Sequence, residues 1–382
     1  MSVLTNNQEI SEFCKRLGKE NFIAVDTEFM RENTYWPKLC LIQLASSEEA
    51  RIIDPLADNI NLDPVYKLMK NNKIIKIFHS GRQDIEIFFN KMNEIPYPIF
   101  DTQIAGMVCG FGNSASYDSM VSNIVNKKID KLSRFTDWSV RPLSKNQITY
   151  ALNDVIYLLK IYKKLISELE TNKRFEWIRD EIDKLVDINN YKIDPNNAWK
   201  KIKIKNNPKR LLPFIHKLAY WREMQAQKID IPRNRIIRDE AIIEISSNQP
   251  MSSDELQKIR GISKSFAHSN KGSEIVDIVK KIKKIKNQVP LNIDENKKDK
   301  NSPDTLVDLL KLLLNFQSKK FGVSQNLIAS VSDLHKIVNE NNPDISVLNG
   351  WRYEVFGKAA LDLKNGKTII KVKNGKIHFK NI

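Results

Sequence analysis

Short apolar runs rich in β-forming residues alternate with longer amphipathic stretches through the first half of the chain. FIAVDTEF (22–29) and LCLIQLA (39–45) read as strands, RIIDP (51–55) as a third that stops at a proline, and KIIKIFHS (73–80) as a fourth. LDPVYKLMK (62–70) has helical spacing with Pro64 near its start, and GRQDIEIFFNKM continues the fourth strand as a helix. FDTQIAGMVCG (100–110) reads as a strand end running into a helix, and 144–170 as one long helix with Ser144 at its N-cap. Strands alternating with helices predict an α/β layered domain.

Beyond about residue 195 the strand signal ends. Residues 208–289 read as several short helices. Residues 290–303 (PLNIDENKKDKNSP) are polar, charged and flanked by proline, and form the best linker candidate. Helical spacing returns over 304–363. The tail GKTIIKVKNGKIHFKNI alternates apolar positions around a KNGK turn, the pattern of a small hairpin.

Charge sharpens this division. The net charge is +16, yet residues 1–200 sum to zero and 201–290 alone carry +11. A neutral half joined to a basic half suggests that one does chemistry while the other holds a polyanion. No apolar run reaches the roughly 18 residues of a membrane span, and the opening MSVLTNNQEISEF lacks the basic-then-apolar order of a signal peptide. Cys14, Cys40 and Cys109 are scattered, odd in number and without metal-ligand spacing, which predicts buried free thiols and a cytoplasmic protein.

Candidate chemistry lies in the neutral half. Asp26 and Glu28 stand two apart on a strand, so both leave one face, at the end of the apolar lead-in FIAV. Two such carboxylates repel unless a cation lies between them, and hard divalent cations take oxygen ligands. Asp84 falls between the fourth strand and its helix, where a capping role is the ordinary explanation. Tyr150 and Asp154 share a helix face at i and i+4 among Ile148, Ala151, Leu152 and Val155. A carboxylate in apolar company is costly unless it is paired or bound to metal.

Taken together, a DxE strand, a second aspartate roughly 60 residues on and a YxxxD helix follow the order of the DEDD exonucleases, in their tyrosine variant. DTEFMRENTYWPKLCLIQLA, IFHSGRQDIEIF and DWSVRPLSKNQITYALNDVIYL closely resemble the ribonuclease D family, and the resemblance runs from about residue 20 to about 360. It implies an RNase H-like mixed sheet flanked by helices, and a 3′→5′ exoribonuclease releasing 5′-mononucleotides. It also implies that Asp26, Glu28 and Asp154 hold one divalent ion, Mg²⁺ or Mn²⁺. Asp26 and Asp84, directly or through water, would hold a second about 3.5–4 Å away. Tyr150 would orient the attacking water, since a phenol of pKa about 10 is a poor base at neutral pH. Phe29 and Met30 are candidates to stack on the terminal base, and Trp138 and Arg141 to contact the terminal nucleotide. His79 reads as a hydrogen-bonded structural histidine.

In the basic half, KKIKIKNNPKR (200–210) and KKIKKIK (280–286) contain no acid, and Lys203, Lys205 and Arg210 are candidate phosphate contacts. RLLPFIHKLAYWRE, a following Pro-Arg turn and LQKIRGIS resemble the HRDC module, while 304–364, ending LNGWRYEVFGKAAL, resembles a second, divergent copy. Trp221 and Trp351 read as core. The expected division is an exonuclease domain at 1–195, an HRDC domain at 205–289, a linker at 290–303 and a second HRDC-like domain with a short tail at 304–382. The expected partner is RNA with a free 3′ end, tRNA precursors in particular, acted on by a monomer. A DNA exonuclease and a nucleic-acid binder with a silent enzyme domain are the alternatives.

Overall fold

The computed structural model describes residues 2–129, 136–204, 209–284 and 304–382. The chain groups into two compact units. One contains residues 1–28, 40–190 and 297–382, the other residues 29–39 and 191–296.

The first unit is built on a six-stranded mixed sheet in the order β1-β4-β3-β2-β5-β6. Its strands are β1 (Val3–Leu4), β2 (Phe22–Met30), β3 (Lys38–Ala45), β4 (Ala50–Ile53), β5 (Ile75–Phe78) and β6 (Ile99–Asp101). β2, β5 and β6 run parallel, whereas β3 and β4 are antiparallel. From Leu39 to Ala45 every residue of β3 is buried. This explains why it reads as a continuous apolar run rather than an alternating one. The last pair joining β2 to β5 is Ala24 with Ile77, so β2 continues past the carboxyl end of β5 and carries Asp26 and Glu28 with it.

Among the described residues, the α-helices that accompany this sheet are α1 (Asn7–Leu17), α2 (Asp63–Lys70), α3 (Arg82–Met92), α4 (Thr102–Val108), α5 (Tyr117–Met120), α6 (Lys145–Thr171) and α7 (Phe175–Val186). Ser144 caps α6 as expected, and Gln147 returns the bond to the Ser144 backbone to complete a capping box. The opening segment, read only as polar, forms β1 and α1. Its apolar Ile10, Phe13, Cys14 and Leu17 make one buried stripe among polar neighbours. Cys40 is also buried and Cys109 half-buried, and among the described residues no disulfide joins any of the three.

The 304–382 segment groups with the sheet-bearing residues. Its helix Asp304–Phe321 packs with Leu334, Ile337, Val355 and Phe356 in a core of its own. Trp177 of α7 stacks on Trp351 at 4.7 Å and 7°. Arg352, buried, bonds Asp180 at 2.9 Å and Glu181 at 2.5 Å. The tail forms the expected hairpin, β7 (Thr368–Lys373) and β8 (Lys376–Asn381). Asn374 at φ 51° and Gly375 at φ 71° make the two-residue turn, a conformation that Asn-Gly adopts at little cost.

In the second unit, the described residues of 191–284 form helices and turns and no strand. α8 (Leu212–Lys228) supplies Phe214, Ile215, Leu218 and Ala219 to a core shared with the helices Asp239–Asn248 and Asn270–Lys284. Trp221 is buried in it and donates to Glu274 at 2.5 Å. Arg222, 1% exposed, is neutralised by Asp239 at 2.7 Å and donates to the Ile237 carbonyl at 3.0 Å. Gly272 is required by packing, because a Cβ there would lie 2.2 Å from the Ala267 carbonyl oxygen. The expected linker at 290–303 lies outside the described residues. Among those described, no helix is long and apolar enough to cross a membrane.

Candidate active site

The overshoot of β2 places Asp26 and Glu28 beyond the strand that flanks them. The turn of α6 bearing Tyr150 and Asp154 comes to the same place. Carboxylate oxygens of Asp26, Glu28 and Asp154 all lie within 4.8 Å of one another. Three acids this close, one of them (Asp154) only 8% exposed, are an oxygen-only donor set of the kind hard divalent cations take.

Asp84 stands outside that trio but beside it. It occupies the first turn of α3 and is buried. The Thr27 hydroxyl, from the residue between the two β2 acids, donates to its Oδ1 at 2.5 Å. Asp101 steadies the turn that presents it. The buried Asp101 carboxylate accepts the backbone N–H groups of Ser80 at 3.2 Å and Gly81 at 2.8 Å, immediately before α3. It also caps α4 through Gln103 and Ile104. His79 lies in the same turn, with Nδ1 3.0 Å from the Thr102 hydroxyl and its ring 5.0 Å from Tyr117.

The electrostatics are those of crowded anions. Burial pushes the Asp26 carboxyl well above the usual carboxylate range, and the charges of Asp84, Asp154 and Glu28 push it further. Burial raises Asp84 to about 6, against the opposing pull of the Thr27 hydroxyl and nearby backbone N–H groups. A divalent ion reverses both effects, because its charge favours the ionised carboxylates that their mutual repulsion opposes. The donor set therefore fits such ions. Tyr150 is partly buried, hydrogen-bonds Asp154 and is raised above its ordinary pKa, first by burial and then by Asp154, Glu28 and Asp26. It stays a neutral phenol at any physiological pH. Tyr117 donates its hydroxyl to the Asp154 backbone carbonyl and so fixes this part of α6 from the side.

The remaining candidates fall into two groups. Phe29 and Met30 end β2, both partly exposed, and Lys203 and Arg210 are exposed. Lys205 lies outside the described residues. Trp138 and Arg141 are otherwise engaged than expected. Trp138 is 2% exposed, with its ring 6.0 Å from that of Tyr150, so it offers no free face to a base. Arg141 uses all five of its N–H donors internally. Nε and Nη2 grip the buried Asp54 at 2.5 and 2.6 Å, and the rest bond the carbonyls of Trp138, Val140 and Cys40 at 2.8–3.0 Å. Both residues build the loop that leads into α6.

Thr27, Asp101 and Tyr117 were not singled out in the sequence. The signal available for Thr27 is its place inside a buried strand end between two acids, where a hydroxyl must find an acceptor.

Residues 1–170 match a family model described as 3′-5′ exonuclease, and 212–279 match the HRDC domain model. A ribonuclease D of Bartonella henselae is 42% identical over 100% of this chain and 94% of its own length. A ribonuclease D of Sphingobium indicum is 39% identical over 98% and 97%. The crystal structure of Escherichia coli RNase D, described as an exoribonuclease involved in structured RNA processing, superposes with a TM-score of 0.79 at 28% identity. That match covers 95% of this chain and 98% of the other. Matched over its whole length by curated ribonucleases D at 39–42% identity, and carrying both the 3′-5′ exonuclease and HRDC models, the chain belongs to the ribonuclease D family.

Proposed function

We infer that this protein is a 3′→5′ exoribonuclease that removes 5′-mononucleotides one at a time from RNA with a free 3′ end, tRNA precursors above all. The observation that carries the reading is the convergence of Asp26, Glu28 and Asp154 from two distant elements to within 4.8 Å, with Tyr150 on the same helix face as Asp154. The resemblance to ribonuclease D supplies the RNA and the direction.

Asp26, Glu28 and Asp154 would hold one Mg²⁺ or Mn²⁺ ion, and Asp26 with Asp84 a second. When bound, such ions make a water nucleophilic at neutral pH and stabilise the charge that develops on the attacking and departing oxygens. The protein's own contribution is positioning. Thr27 holds Asp84 in one orientation, and Tyr117 holds the Asp154 turn. Tyr150, kept protonated, acts as a hydrogen-bonding group that orients the attacking water and takes no proton itself. Phe29 and Met30 meet the terminal base, and Lys203, Lys205 and Arg210 neutralise RNA phosphates.

We assign residues 1–195 to the exonuclease domain, 205–289 to the HRDC domain and 304–382 to a second, divergent HRDC-like domain after a linker at 290–303. The enzyme acts as a cytoplasmic monomer, in keeping with three cysteines that form no disulfide.

The test is digestion of a tRNA bearing extra 3′ nucleotides, alongside matched single-stranded RNA and DNA, with Mg²⁺, with Mn²⁺ and with EDTA. A ladder shortening from the 3′ end with nucleoside 5′-monophosphates as product, lost in EDTA, is expected. Absence of mononucleotides under every metal condition would overturn the reading.

A further inference from the structure

The C-terminal hairpin has two unlike faces. Its register sets Ile369 opposite Lys380, Lys371 opposite His378 and Lys373 opposite Lys376, and sets Ile370 opposite Phe379 on the alternate face. Directly opposed residues of an antiparallel pair lie on one side of the ribbon. Ile370 and Phe379 pack against the core of the 304–382 segment, and the Phe379 ring lies 5.1 Å from that of Phe316. This contact anchors one face. Lys371, Lys373, Lys376, His378 and Lys380 of the other are all exposed.

This arrangement does not serve the hairpin's own stability. Residues 365–382 hold five lysines and no acid. Like charges directly opposed across a ladder destabilise it, whereas a lysine facing a glutamate would stabilise it. Among the described residues, none of these lysines forms an ion pair with a carboxylate. Lys371 and Lys373 recur along β7 at roughly 7 Å, two strand residues, a spacing comparable to that of successive phosphates on an extended strand. The outward face contains no Phe, Tyr or Trp on which bases could stack, its only ring being the His378 imidazole, and no Arg, Asn or Gln to read a base edge. Its single apolar residue, Ile369, is too little for insertion into a lipid surface.

We propose that the outward face of the β7–β8 hairpin is a binding site for the RNA phosphate backbone, gripping the substrate through Lys371, Lys373, Lys376 and Lys380 without reading its bases. The identity of this polyanion rests on the exoribonuclease reading above. The site itself does not depend on catalysis.

The test therefore measures binding rather than turnover. Fluorescence anisotropy of a labelled single-stranded RNA is recorded in EDTA from 50 to 300 mM KCl for the full-length protein. Its variants are K371Q/K373Q/K376Q/K380Q, the same four positions changed to Arg, and K15Q/K19Q/K67Q/K73Q as an equal loss of exposed charge elsewhere. The salt slope of log K is expected to fall by about 0.7 per lysine, close to three in all, in the hairpin Gln variant alone. The Arg variant should keep it. An unchanged slope in the hairpin Gln variant, an equal fall in the remote control, or failure of the Arg variant to keep the slope would each overturn the proposal. So would RNA binding unaltered by the hairpin Gln variant together with loss of its binding to phosphatidylcholine/phosphatidylglycerol vesicles, which would make the face a membrane contact. A protein that binds RNA through the hairpin but releases no mononucleotides would refute the exoribonuclease reading and leave this one standing. A protein that digests RNA with an unaltered slope would do the reverse.

Discussion

The hydroxyl of Thr27 donates to the carboxylate of Asp84 at 2.5 Å, joining two residues 57 apart in sequence. Both are buried, so no solvent replaces this bond if it is lost. In Thr27→Val, a near-isosteric change, Asp84 loses a hydrogen bond that favours its ionised form. In the metal-free site its carboxyl then titrates above about 6, so protons compete more strongly with the divalent ion for it and the acidic limb of the pH–rate profile moves to higher pH. Turnover at pH 8 is expected to fall about tenfold, the equivalent of about 1.4 kcal/mol, because Asp84 is no longer held in one orientation. The pH–rate profile with and without the substitution is the measurement. An acidic limb left in place would remove Thr27 from the site's electrostatics.

Crowded carboxylates make the metal-free protein less stable than it could be. Asp84 is raised from 3.8 to about 6 in the folded state. Its contribution therefore favours folding below pH 4 and is lost as pH rises through about 6. Asp84→Asn removes the charge and keeps an acceptor for Thr27. In EDTA at pH 8 this variant should be more stable than the parent by about 1–3 kcal/mol, with the difference shrinking toward pH 4. Divalent ions should raise the melting temperature of the parent more than that of the variant, since they bind the folded state and need the carboxylate. Thermal unfolding at pH 4.5 and pH 8, with EDTA and with Mn²⁺, reads all four quantities. A variant less stable than its parent in EDTA at pH 8 would show that the carboxylates are not frustrated.

The alternating strands and helices were legible because their buried faces carry unbroken apolar runs, as in Leu39–Ala45, or capped helical spacing, as at Ser144. The tail hairpin was legible for a similar reason, its Asn374-Gly375 turn being tied to a backbone conformation. α1 was harder to see, because only Ile10, Phe13, Cys14 and Leu17 mark it within a polar opening. At the site, residue type and spacing identify acids. They do not reveal which polar neighbours hold those acids in place, since Thr27 and Tyr117 act through contacts with residues 57 and 37 positions away. The internal engagement of Arg141 was hidden for the same reason. Nothing near it in sequence shows that Asp54, 87 residues earlier, already holds its guanidinium.

Tyr150 hydrogen-bonds Asp154, and its phenol is held above its ordinary pKa by burial and three carboxylates. Such a group can orient a water but cannot deprotonate one near neutral pH. Tyr150→Phe should lower kcat by about 10²-fold, the lower end of what a positioned proton-transfer or hydrogen-bonding group contributes, with little change in KM. The basic limb of the pH–rate profile should not move between the two proteins. A basic limb that disappears in the Phe variant would mean that the phenol titrates during turnover and acts as a base.

Arg141 decides between a structural and a substrate-binding loop before α6. Its five donors are all used within the protein, two of them on Asp54, which is 4% exposed. Lysine has three donors on a flexible stem and cannot reproduce that fork. Arg141→Lys is therefore expected to leave Asp54 and at least one carbonyl poorly satisfied and to cost about 2–4 kcal/mol of stability. Affinity for RNA, measured at a temperature where both proteins remain folded, should change less than twofold, within the roughly 0.4 kcal/mol that such a factor represents. The opposite outcome, full stability with RNA affinity reduced tenfold or more, would return Arg141 to the substrate and require that Asp54 release it when RNA binds.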